Sequence, residues 1–217
     1  MTAVLVVAAG AGAYLLQTSD PDPAPVAAPP VPVTPAPTAP SPRTVPPPLD
    51  TPAAAPNDPA SPIPLSVFPA QVQGYSLVSN VAFPACTGAN TVAPSLAGMI
   101  TQGHGCLGAG LALYRDAEGN QYNLALFTMK DQGDIPHLIT FLASNPESFQ
   151  VAVQLPSKDS GLSRLAAAGN RVQAFSGLGR ALLVGQAQWS DGRVADFDEL
   201  SAQLSPLTDA IIRNVPA

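Results

Sequence analysis

From Leu65 onward, apolar residues recur at two spacings, and the switches between them mark out elements. Tyr75, Leu77, Val81 and Phe83 fall on alternate positions and predict one face of a strand that Pro84 ends. Leu96, Met99 and Ile100 recur at helical spacing behind Pro94, a first-turn residue, and Gly103 stops that helix. Gly110 to Arg115 and Gln121 to Met129 then predict a hairpin about a turn at Asp116 to Asn120. Leu124 to Phe127 is apolar on both faces, as in a central strand covered on both sides.

A second helix is predicted with Asp134 as its cap and Pro136 in its first turn. Ile135, Leu138, Ile139 and Leu142 form its stripe, and Asn145-Pro146 ends it. Phe149, Val151, Val153 and Leu155 alternate with smaller or polar residues and predict a half-buried strand. A short helix ending near Gly169 follows. Arg171 to Ser176 and Arg180 to Trp189 then pair about Gly177-Leu178-Gly179. Asp196 and Glu199 resemble a capping box for a last helix with the stripe Phe197, Leu200, Leu204, Leu207 and Ile211. Pro206 interrupts that stripe, so a kinked helix or two abutting helices are expected, Ser205 serving as a fresh cap in the second case.

These elements predict an α+β fold, a two-layer sandwich in which a mostly antiparallel sheet is covered by helices. Residues 94–145 and 162–214 both run helix, strand, turn, strand, helix, which suggests an internal pseudo-repeat of topology.

The first third of the chain has no such rhythm. Of the 45 residues from Asp20 to Pro64, 18 are proline. Each fixes φ and removes a donor, so residues 20–64 are read as a disordered stalk of extended, polyproline-like chain. Ahead of it, residues 1–19 hold the uncharged apolar run Thr2 to Leu16. At 15 residues it is shorter than a full membrane crossing of about 20. It reads as a membrane anchor whose basic flank lies upstream, or as a signal segment, since Ala9-Gly10-Ala11 and Ala11-Gly12-Ala13 have the small-x-small form of a cleavage site. Residues 65–217 are then one extracytoplasmic domain on a single-pass protein, or a secreted domain in the second case.

Charge excludes more than it indicates. The 217 residues carry a formal −6 with no Lys/Arg cluster, which argues against nucleic acid and anionic lipid headgroups as partners. Contact with a membrane is expected through the N-terminal segment only. The expected partner is another envelope protein or a wall-associated ligand. No cofactor or metal is called for. Gly177-Leu178-Gly179 lacks the third glycine of a dinucleotide loop, and His104, Cys86 and Cys106 fall short of the four ligands of a structural zinc site. Asp196, Asp198 and Glu199 read as cap and dipole partners. The single tryptophan, Trp189, reads as core at a sheet edge, with an exposed binding aromatic as the alternative.

Only Cys86 and Cys106 are present, 20 positions apart on either side of the first helix. In an exported chain they read as one disulfide, worth about 3 kcal/mol for a loop of that size in the chain-entropy model. Gly103 to Gly108 (Gly-His-Gly-Cys-Leu-Gly) also resembles the nucleophile motif of the L,D-transpeptidases, peptidoglycan cross-linking enzymes that act through a cysteine acyl-enzyme. His104, Gly105, Cys106 and Leu107 match that motif, while Gly103 stands where the family has Ser and Gly108 where it has Arg. That resemblance implies a catalytic Cys106. In layout and composition the whole chain resembles the single-pass, stalked envelope proteins of high-GC actinobacteria, which implies a location and leaves activity open. With two histidines and no convergent acid/base set, the domain is expected to be a non-catalytic binding, sensing or accessory module. A cysteine-dependent wall enzyme and a structural assembly subunit are the alternatives.

Overall fold

The computed structural model describes residues 5–8, 60–146, 148–165 and 170–216. They form an α+β domain built on one antiparallel sheet. The strands are β1 (Leu5–Ala8), β2 (Gln71–Val72), β3 (Tyr75–Phe83), β4 (Cys106–Arg115), β5 (Gln121–Met129), β6 (Val172–Leu178) and β7 (Ala181–Gln188). Their order across the sheet is β1-β6-β7-β5-β4-β3-β2. The helices are α1 (Pro94–Gln102), α2 (Asp134–Ser144) and α3 (Phe197–Arg213).

Helices cover both faces of the sheet, so the two sets of alternating side chains build two cores. On one face Leu200, Leu204, Leu207 and Ile211 of α3 pack on Tyr122, Leu124, Ala174 and Leu183. On the other, Leu96 and Ile100 of α1 and Ile135, Leu138 and Leu142 of α2 pack on Leu111, Ala125, Phe127, Phe175 and Val184. Burial on both sides makes β5 the central apolar strand that its composition predicts. Gly185 lets α3 approach closely, because a Cβ there would lie 2.6 Å from Thr208 Cγ2. Gly177 does the same for α2, with Ile135 Cγ2 at 2.5 Å. Hence Gly177 belongs to β6, and the β6–β7 turn falls at Gly179, whose φ is +55°.

The hairpins β4–β5 and β6–β7 are shared by the two halves of the domain, but the helices that follow them lie on opposite faces. The expected repeat therefore does not extend to the packing. Nor is a helix present before β6 among the described residues. Lys158–Ser160 forms a single 3-10 turn, and residues 166–169 lie outside the description.

Several local expectations are corrected. The register of β3 against β4 shifts between Leu77 and Ser79, so Tyr75 and Leu77 join the α3 core while Phe83 packs with the α1 and α2 core. A bulge that adds one residue flips every later side chain. Phe149 to Leu155 is not a strand. It makes a single bridge, Val92 to Val151, and two more of its backbone groups, Val151 O and Gln154 N, are taken by side chains. Asp134 opens α2 but does not cap it. Asp196 precedes α3 in a left-handed conformation, φ 58°, with no capping bond. α3 runs through Pro206 as one helix, and the Ser205 hydroxyl donates back to Ser201 O in place of capping a new one.

Leu5–Ala8, inside the apolar run read as an anchor or signal, pairs with β6 as an edge strand, Leu5 opposite Phe175 and Ala8 opposite Val172. The remainder of that run and the stalk up to residue 59 lie outside the described residues. No described helix is long and apolar enough to cross a membrane. The domain takes in the last residues of the Pro-rich stretch. Ile63 N donates to Thr128 Oγ1 at 2.8 Å, and its side chain packs against the α3 core.

Candidate functional site

Sheet patterning locates the site. On the α1/α2 face the strands are apolar at one end and polar at the other, where Gln121, Asn123, Gln173, Gln186 and Gln188 are buried. No described helix covers this polar end. The irregular segment after α2 crosses it, and a chain without a ladder needs partners for its backbone. Gln186 Nε2 donates to Val151 O (3.0 Å), Gln154 N donates to Asn123 Oδ1 (2.7 Å), and Gln121 Nε2 donates to Ser163 O (2.7 Å). Buried amides on alternate strand positions are therefore the counterpart of the missing strand.

Arg171 enters this polar region just before β6. Its residue is 6% exposed. Nη1 donates to Gln186 Oε1 at 2.6 Å, and the guanidinium stacks on the Phe149 ring with Cζ 4.1 Å from the centroid. Nε is buried without a hydrogen-bond partner, and among the described residues no carboxylate pairs with this arginine. Burial draws its pKa down to about 10, so it remains charged at neutral pH. A buried charge with no counter-charge is costly and rarely kept without a reason.

The guanidinium lines a cleft of about 310 Å3 together with Val92, Ala93, Pro94, Phe149, Gln150 and Val151. Among the described residues Arg171 is the cleft's one cationic side chain. The start of α1 forms one wall. Ala93 N is used by Gln150 O (2.7 Å), Ser95 Oγ donates to Gln150 Oε1, and Gln150 Nε2 donates to Ser148 Oγ. A helix start leaves the N–H groups of Ser95 and Leu96 without intrahelical acceptors and carries the positive end of the helix dipole. A mostly apolar cleft with one guanidinium and one helix start is suited to holding a small anion.

The residues singled out from the sequence lie elsewhere. Cys86 and Cys106 are joined as expected, Cα atoms 6.5 Å apart, and no free cysteine remains. With its sulfur bonded, Cys106 cannot serve as a thiolate nucleophile in this state. Nearby, His104 is turned toward α2. Its backbone N donates to Asp134 Oδ2 (2.8 Å), its Nδ1 lies 3.0 Å from Asp134 Oδ1, and Asp131 Oδ2 is at 3.8 Å. The hydrogen bond that His104 donates to Asp134, and then the Asp134 charge, raise the His104 pKa. The backbone and side-chain hydrogen bonds from His104 lower that of Asp134. Among the described residues no three His, Cys, Asp or Glu side chains are placed to hold a metal ion. Trp189 is core, 1% exposed, with Nε1 donating to Ala195 O.

One further polar cluster is closed on itself. Asp116 Oδ1 accepts from Glu118 N and Asn120 N, and Oδ2 accepts from Asn120 Nδ2 and Tyr122 OH, all within 2.9 Å. Tyr122 OH also sits 2.7 Å from Gln203 Oε1, and Tyr75 OH donates to Gln203 O. Burial first, then the bond to Asp116, holds the Tyr122 phenol far above its usual range, so it stays a donor. A carboxylate that accepts four hydrogen bonds is a strut for the hairpin turn.

No family model, no curated protein and no solved structure matches this chain.

Arg171 was not picked out from the sequence. Its signal was the polar alternation of Arg171 and Gln173 opposite Gln186 and Gln188, on strands otherwise apolar.

Proposed function

We propose that this chain is a non-catalytic binding module of the cell envelope, held by its N-terminal segment and carried on the Pro-rich stalk, with the disulfide-bonded domain outside. The observation that carries the reading is Arg171, a buried guanidinium in the wall of a cleft with no counter-charge among the described residues. A binding site keeps such a group because the ligand completes it, whereas a purely structural arginine would have acquired a carboxylate. The disulfide is compatible with an oxidising compartment. The groups that a wall enzyme would use are otherwise engaged, Cys106 by Cys86, Asp134 by His104 and Asp116 by its own turn.

Membrane attachment and the β1–β6 pairing exclude each other for Leu5–Ala8, because one segment cannot lie in a bilayer and in the sheet together. In the anchored state the β6 edge is open. The test of the module reading is retention of the full chain by native envelope material. Wild type should be retained and Arg171→Met lost. Equal retention of the two, with both folded, would refute the cleft as the seat.

A further inference from the structure

The cleft at Arg171 offers one positive charge, one helix start and walls that are otherwise uncharged and mostly apolar. Each of these limits what fits. Nη1 is held by Gln186, and Nε is buried with no partner among the described residues, so the guanidinium is only partly engaged. An oxyacid group can take a guanidinium edge through two oxygens. Among the described residues no other cationic side chain lines the cleft, so a dianion would be left with one uncompensated charge. Val92, Val151 and the Phe149 ring surround the charge with carbon. The cleft's volume of about 310 Å3 gives room for about ten water-sized groups.

We propose that this cleft binds a small monocarboxylate with an apolar body, of the size of an N-acylated alanine. The carboxylate lies against the Arg171 guanidinium and the first-turn N–H groups of α1, and the body lies against Val92, Val151 and Phe149. This rests on the cleft being the seat of the binding module. The ligand chemistry is that of a free peptide C-terminus with a small side chain, or of a short acylated amino acid.

The experiment is a titration of the isotope-labelled full chain, followed by 1H–15N spectra, with N-acetylalanine of either hand, N-acetylalaninamide and inorganic phosphate. The acid should shift Arg171 Nε–H and the amides of Ser95 and Leu96. The amide, the same body without the charge, should bind about tenfold more weakly or worse. Arg171→Met should abolish the shifts, and Arg171→Lys should restore only part of them.

Equal binding of acid and amide, tighter binding of phosphate, or shifts confined to other residues would each overturn the proposal. The acid–amide comparison uses wild type and does not depend on any variant folding. If no carboxylate binds while envelope retention still requires Arg171, the ligand class is wrong and the module stands. If retention is also indifferent to Arg171, both fall.

Discussion

Two polar clusters lie at the same end of the sheet on opposite faces, and they are built to opposite rules. Gln121 pairs with Gln188 and Val172 with Ala187, so the β4–β5 turn and the entry to β6 are at one level. On the α3 face, Asp116 gathers four donors and Tyr122 joins the turn to Gln203 of α3. On the other face, Arg171 Nε and Gln173 Oε1 are buried with no partner. A polar network that is complete within the chain holds the fold together. One that is incomplete costs stability and has something left to bind.

The largest effect expected from that contrast is at Asp116. Asp116→Ala takes the side-chain acceptor from two turn amides and one of two acceptors each from the Asn120 side chain and the Tyr122 phenol, and should cost about 3 kcal/mol in urea unfolding. A loss below about 1 kcal/mol would mean that the four bonds are not cooperating and would weaken the contrast. The disulfide should contribute on the same scale. Cys86→Ser with Cys106→Ser should cost about 3 kcal/mol, and alkylation of the unreduced, denatured protein should find no free thiol. Two free thiols would reopen the reading of Cys106 as a nucleophile.

Next in size is Tyr122→Phe, which deletes one donor and leaves Asp116 three. About 1 kcal/mol is expected. Arg171→Met is the sharper test, because it should move binding and stability apart. Retention on envelope material is lost, while unfolding free energy stays within about 1 kcal/mol of wild type, since burial relief offsets the lost bond to Gln186. A loss of several kcal/mol would place Arg171 with Asp116 as a structural group.

The contrast also accounts for what could be read from the chain. The two hairpins, the stripes of α2 and α3, the disulfide and the buried Trp189 all follow from patterns within about 20 residues. Each depends on periodicity or on a compartment argument, and tertiary context reinforced it. The Phe149 to Leu155 alternation was equally clean and yet made no strand. Its backbone is met instead by the side chains of Gln186 and Asn123, which come from β7 and β5. Periodicity reports which side chains face inward and is silent on what satisfies the backbone. Arg171 was missed for the same reason. Its meaning depends on Pro94 and Phe149, 77 and 22 positions earlier, being brought beside it in the cleft.

The smallest effect concerns a third polar pair, exposed and therefore weak, which sets a baseline for the other two. His104 is raised above 6.5 by Asp134, and Asp134 is lowered below 3.8 by His104. For the histidine, whose folded pKa is the higher one, the pair's contribution is full below 6.5 and disappears as pH rises through the raised value. For the aspartate, whose folded pKa is the lower one, it is present above 3.8 and disappears as pH falls through the lowered value. The pair therefore matters most between those limits. A proton-resonance titration of His104 should give a midpoint above 6.5, and Asp134→Asn should bring it back toward 6.5. In thermal melts, the gap between wild type and Asp134→Asn should be wider at mildly acidic pH than at pH 9. A midpoint that ignores the Asp134 substitution would show that solvent screens this pair completely. The loop from Gly103 to Cys106 would then depend on its disulfide and on the backbone bond from His104 to Asp134, with no contribution from charge.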